Sequence, residues 1–186
     1  LSTTTILSMP VGVGFCVFFA WLRRGIRVRD YLGWKWPGRR RIVLWCVAII
    51  VFGAATDLVT TLVLKRPLVP EVMLELYRQA GFRPLLWLAI VVAAPVAEEF
   101  IFRGFLLTGL RGLGLSGWRN LAAVPAASGV WAGIHFQYDA YGVATIFLGG
   151  ILLGYARIRT GSLWLCIVLH AIMNLVATVE AEAMLA

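Results

Sequence analysis

Ala93-Ala94-Pro95-Val96-Ala97-Glu98-Glu99-Phe100-Ile101-Phe102-Arg103-Gly104 is the stretch whose reading decides the fold. It sets two adjacent carboxylates and a guanidinium in a segment otherwise apolar enough to cross a bilayer. Ionisable groups at such depth cost roughly 2.5–3.5 kcal/mol each, so they need partners and mark function. The rest of the chain reads as helices that bury this triplet and bring it company.

Composition points the same way. The 186 residues are 61% hydrophobic and only 14% charged. Several apolar runs reach the roughly 20 residues a membrane helix needs, and the alternating pattern of a membrane β-barrel is absent. The fold class is all-α: a polytopic transmembrane helical bundle with about six spans and a short interfacial helix. The expected spans cover about Thr4–Leu22, 42–64, Pro84–Leu110, Arg119–Phe136, 141–156 and Ser162–Val179. Residues 70–80 read as the interfacial helix, with Pro70 at its first position and Gly81 as its stop. Residues 1–83 form a two-span region with a basic loop, and 84–186 a four-span core, in one integrated domain. Gly150-x-x-x-Gly154 predicts a tight helix crossing.

A net charge of +8 invites a nucleic-acid partner, but the placement of charge argues against one. Eight of the 17 Lys and Arg lie in the single loop 22–41, as the positive-inside rule explains. Loops 22–41, 111–119 and 157–159 together carry twelve, against four in 65–83. The basic loops therefore face the cytoplasm, with both termini outside. Cys16, Cys46 and Cys166 all sit in apolar runs and read as small buried hydrophobes. The first run lacks a small-residue cleavage site and reads as a retained helix.

Glu99 and Arg103 are spaced i, i+4, the geometry of a helical ion pair with the acid N-terminal. Glu98 projects about 100° away around the helix, so it is left for another partner and suited to exchange a proton with water. The chain's two histidines lie in later spans: His135 after Trp131-Ala132-Gly133-Ile134, and His170 four residues before Asn174 on one helical face. Two acids, an arginine, two histidines and an asparagine in three spans exceed what structural polar contacts require. Nothing comparable occurs in the first two spans.

Glu-Glu-x-x-x-Arg, then aromatic-x-x-x-His, then His-x-x-x-Asn, each in its own helix, resembles the CPBP group of intramembrane proteases. That group includes the type II CAAX prenyl proteases (Ras-converting enzyme) and bacterial bacteriocin-processing or self-immunity proteins. The resemblance spans about residues 85–178, and the ordered triple motif is far more specific than any of its parts. It implies an intramembrane endopeptidase in which Glu98 and His135 activate water, His170 and Asn174 stabilise the oxyanion, and Glu99 and Arg103 support the site. The family usually has Phe four residues before the first histidine, where this chain has Trp131. The implied partners are a peptide or membrane-anchored protein substrate and the lipid bilayer; the implied setting is a bacterial cell (inner) membrane.

Whether a metal takes part stays open at this level. Glu98, His135 and His170 make a His₂Glu set like some catalytic zinc sites. Were Glu98 a ligand, however, it would not equally serve as the base, which tips the reading toward hydrolysis without a divalent metal. No His-Glu-x-x-His, Gly-x-Ser-x-Gly or paired aspartyl motif is present for other intramembrane protease types. The rival class is a non-enzymatic scaffold, immunity factor or small transporter using the same polar cluster. One feature strains the reading. Glu98 lies about 20 Å from the outer end of its span, and His135 about 24 Å from the inner end of its own, at 1.5 Å per residue. A break at Pro95, or a fourth span that starts earlier or tilts, is expected to bring them level.

Overall fold

In a computed structural model, which describes residues 2–112 and 118–185 and only the backbone of Ser2 and 118–121, the chain is a helical bundle. Its elements are α1 (Ser2–Leu22), α2 (Val28–Leu32), α3 (Arg39–Val63), α4 (Glu71–Arg78), α5 (Arg83–Arg111), α6 (Trp118–Gly133), α7 (Ala140–Thr160) and α8 (Leu163–Leu185). No strand occurs among the described residues. Among the described residues, five helices, α1, α3, α5, α7 and α8, are long and apolar enough to cross a membrane. The expected fourth span is the 16-residue α6, and part of the loop before it falls outside the described residues.

The expected break at Pro95 does not occur. The 29 residues of α5 stay helical, but π-helical stretches at Leu88–Ala93 and Phe100–Leu106 bracket the carboxylate pair. In the first, the Ala94 N–H donates to Ala89 O, five residues back. The next donor in that register would be residue 95, and proline has none. Ile90 O is therefore left over, and Asn174 of α8 donates its side-chain N–H to it at 2.8 Å. In the second, Arg103 O accepts from Arg157 Nε of α7 at 3.2 Å. Extra residues per turn re-aim the side chains that follow, and such turns are common at functional sites.

Between apolar helices in lipid, close packing and internal hydrogen bonds replace the hydrophobic effect as the source of cohesion. The α6–α7 contact shows this. Ala123, Val124, Ala127 and Ser128 are buried along it, whereas Ala122, Ala126 and Gly129, also expected to pack, face outward. A Cβ added to Gly150 would lie 2.9 Å from both Ser128 Cβ and Trp131 Cε3, and one added to Gly154 would lie 2.8 Å from Val124 Cγ1. The Gly150/Gly154 crossing is thus as tight as its spacing predicts. Gly150→Ala is expected to destabilise by about 1–3 kcal/mol, typical of overpacking, seen as a lowered unfolding midpoint in detergent.

Ile49, Phe102, Trp131, Leu153, Leu165 and Leu169 join α3, α5, α6, α7 and α8 in one buried cluster. Cys16, Ala20, Tyr31, Leu32, Phe100 and Ile167 form a second, which ties α1 and α2 to α5 and α8. Cys16 and Cys166 are buried free thiols and Cys46 is partly buried.

Three local expectations change. Pro70 is the N-cap of α4 rather than its first helical residue. The apolar face of α4 packs on protein, through Tyr77, Leu86 and Ala181, so it rests on the bundle and not on lipid alone. The basic segment 157–159 is the last turn of α7, and Arg157 is buried, bonded to Arg103 O and to Tyr31 O. Its charge serves the bundle, which leaves eleven cations in support of the orientation.

At the opposite end, Asp139 caps α7, accepting from Gly142 N at 2.9 Å, and Arg66 donates to its other oxygen. The Gly142 amide, then the Arg66 guanidinium, hold the Asp139 carboxyl below its ordinary value. A depressed folded value means this cap stabilises above the unfolded value, near pH 4, and is lost as pH falls through the folded one. Amide-exchange protection at Gly142, corrected for intrinsic rates, is expected to hold at pH 5 and fall at pH 3.

Candidate active site

Three helices supply the polar cluster: Glu98, Glu99 and Arg103 from α5, His170 and Asn174 from α8, and Trp131 at the end of α6 with His135 just beyond it. The two carboxylates face different surroundings. Glu99 is fully buried, and its Oε1 accepts from Arg103 Nη1 at 2.7 Å and from His170 Nδ1 at 2.9 Å. Glu98 keeps 22% of its side chain exposed. The i, i+4 pair is formed as its spacing predicts, and Glu98 is the carboxylate left for other company.

That company is Trp131, whose indole N–H donates to Glu98 Oε2 at 2.6 Å. Trp131 also lies under the Arg103 guanidinium at 4.2 Å from its ring centre, a cation–π contact that stabilises a buried cation. Its ring meets His170 edge-on at 5.2 Å and His135 at 5.4 Å. Its backbone carbonyl, near the end of α6, accepts from His135 Nδ1 at 2.8 Å. A carbonyl only accepts, so Nδ1 carries the proton and the Nε2 of a neutral His135 ring is a free acceptor. Trp131 thus bridges Glu98 and His135, the two groups whose depths differ along their helices. Trp131 sits level with Glu98, α6 ends at Gly133, and the following turn folds His135 back onto Trp131.

His170 stands between the acids. Its Nδ1 donates to Glu99, and its Nε2 lies 4.0 Å from Glu98 Oε2. Asn174, one turn on, spends one amide hydrogen on Ile90 O and keeps the other. Arg103 also reaches Gly150 O at 3.4 Å, tying the site to the tight face of α7.

Several contributors escape a reading of the motifs. The donor role of Trp131 was signalled only by its standing where an aromatic ring without a donor is usual. Pro95 signalled a freed carbonyl but not its taker. Tyr138 lies in the turn after His135, its ring 6.3 Å from the imidazole; burial, then the charge of Glu98, push its phenol above the ordinary value. The burial of Arg157 carried no signal, since its sequence reads as a basic loop just past the expected fifth span, 141–156.

The His₂Glu set does not fit a zinc ion as arranged. Glu98 Oε2 is taken by the indole, Glu99 by Arg103 and His170, and the His170–Glu98 separation of 4.0 Å is wide for two ligands of one ion. Among the described residues no three His, Cys, Asp or Glu groups are placed to hold a metal.

Comparison with known proteins adds a family. The chain is 34% identical over 84 residues to an Escherichia coli protein known as "Uncharacterized 24.3 kDa protein", an overlap of 45% of this chain and 38% of that one. The chain therefore spans under two thirds of that relative's length. No solved structure matches it. A family profile, type II CAAX prenyl endopeptidase Rce1-like, matches residues 80–176, just over half of the chain. Those residues contain both carboxylates, Arg103, Trp131, both histidines and Asn174, and the chain belongs to the Rce1-like family of type II CAAX prenyl endopeptidases.

Proposed function

We propose that this integral membrane protein is an intramembrane endopeptidase, hydrolysing a peptide bond in a peptide or membrane-anchored protein delivered through the bilayer. The observation that carries the proposal is the division between adjacent carboxylates. Glu99 is sealed in an ion pair, while Glu98 is partly open, oriented by an indole N–H and faced by an imidazole nitrogen.

In this reading Glu98 takes a proton from the attacking water. His135, whose Nε2 is the free acceptor, assists in placing that water. As the hydroxide adds to the scissile carbonyl, negative charge develops on its oxygen and needs donors already in place. Asn174 supplies its remaining amide hydrogen. His170 supplies Nε2–H in its charged form, since Nδ1–H is spent on Glu99. The proton held by Glu98 then passes to the departing amine as the C–N bond breaks, which returns the carboxylate. The bacterial cell membrane fits the similarity to an Escherichia coli protein.

The test compares peptide termini from membranes and medium of cells carrying the wild-type chain or Glu98→Gln. Loss of a specific cleavage product at equal protein abundance supports hydrolysis. Unchanged termini across well-covered samples favour a scaffold, immunity factor or small transporter.

Trp131→Phe asks whether the indole N–H matters as well as the ring. A hydrogen bond to a charged group contributes about 1.5–3 kcal/mol, which corresponds to roughly 10–100-fold in rate. Turnover of the identified substrate is expected to fall by about that factor with KM little changed, because the lost bond positions Glu98 and not the peptide.

A further inference from the structure

A groove lies away from the carboxylate pair, between the start of α3 and the end of α7. It holds about 480 Å³ and is lined by Arg41, Leu44, Trp45, Ala48, Arg159 and Thr160. Its chemistry is split along its length. Arg41 enters from the first turn of α3, Arg159 from the last turn of α7, and the remaining wall is mostly apolar. We propose that this groove binds an anionic phospholipid, with the phosphate at Arg41 and Arg159 and an acyl chain laid along Leu44, Trp45 and Ala48.

Three observations converge on that occupant. The first is charge: no carboxylate pairs with Arg41 or Arg159 among the described residues. Arg159 instead lies 5.2 Å from the ring centre of Tyr155, which is packed edge-on to Trp45 at 6.2 Å. The aromatic pair holds the Arg159 guanidinium beside the groove without neutralising its charge. Guanidinium is well matched to phosphate oxygens, and basic pockets between transmembrane helices on the cytoplasmic side are suited to acidic headgroups.

The second is the openness of the apolar wall. Leu44 is exposed and Trp45 and Ala48 are only partly buried, so hydrocarbon is the natural filler. The third is position. The cations at both helix ends place the mouth at headgroup level on the side the positive-inside rule makes cytoplasmic, where anionic lipid is enriched. A peptide substrate has no reason to present phosphate there, and a second copy of the chain would bring the same cations face to face.

Native mass spectrometry of the purified protein in an equimolar mixture of phosphatidylglycerol and phosphatidylcholine tests this. The wild type is expected to retain phosphatidylglycerol at least about fivefold over phosphatidylcholine. Arg41→Gln with Arg159→Gln is expected to abolish the preference, while Arg24→Gln with Arg29→Gln, equal in charge and outside the groove, keeps it. Ala48→Phe, which fills the groove and keeps its cations, is expected to lose the bound lipid too. Should the double variant fail to fold, quenching of wild-type tryptophan emission by brominated phosphatidylglycerol, subtracting Trp45→Phe, reads the same site. Equal retention of the two lipids overturns the proposal. So does an equal loss in the control pair, which signals only diffuse surface charge. Displacement by millimolar glycerophosphate overturns it in favour of a soluble anion, and dimers in place of lipid adducts overturn it in favour of a second copy.

Discussion

Glu98→Gln is expected to lower hydrolysis by two to four orders of magnitude, about the contribution of a positioned general base, while leaving helix content and unfolding temperature near wild type. The two halves of that outcome have separate causes. Gln keeps the size of Glu98 and an oxygen to accept from Trp131 Nε1, and the side chain is 22% exposed, so the bundle loses little. Catalysis loses the group that takes the proton. Glu99→Gln is the informative partner, because Glu99 is fully buried and holds both Arg103 and His170. Its replacement strikes stability first and activity in consequence. Rates on the substrate found by comparing termini, beside thermal unfolding of both proteins in the same detergent, separate the cases. Equal loss of stability in both variants would sink the division of roles.

Arg103→Met is expected to be the most destabilising single change at the site. Removing one partner of a buried ion pair typically costs about 3–5 kcal/mol, because the other charge stays buried without compensation. Here the stranded group is Glu99, whose Oε2 already lacks a hydrogen-bond partner among the described residues. The Trp131 face and Gly150 O lose their cation as well. The double variant Glu99→Gln with Arg103→Met removes both charges, and its unfolding midpoint is expected to lie above that of Arg103→Met alone. A single variant as stable as the wild type would show that the pair contributes nothing. A double variant lower than the single would show that the penalty is not stranded charge.

The motif helices, the Glu99–Arg103 pair and the Gly150/Gly154 crossing were legible in the sequence because each rests on spacing along one helix. What spacing does not carry is how two helices meet. The hydrogen bond from Trp131 to Glu98, the capture of Ile90 O by Asn174 and the burial of Arg157 all join elements distant in the chain. The π-helical stretches were hidden for a related reason. Pro95 announces a missing donor, but whether the helix breaks or widens depends on which neighbour stands ready to take the freed carbonyl. Likewise, α4 has the apolar stripe of a helix lying on lipid, and only its placement beside Leu86 and Ala181 shows that the stripe meets protein.

The π-helical stretches of α5 bear on how the protein is made. As a lone segment in the bilayer, α5 carries two acids, an arginine and a backbone carbonyl at Ile90 whose side-chain donor comes from α8, while the Arg103 carbonyl accepts from Thr108 of α5 itself as well as from Arg157 of α7. Hydrocarbon offers such groups no partner. Nascent α5 is therefore expected to linger at the insertion machinery until the last helix is synthesised, and chains truncated before α8 are expected to be cleared by membrane quality control instead of accumulating half-built.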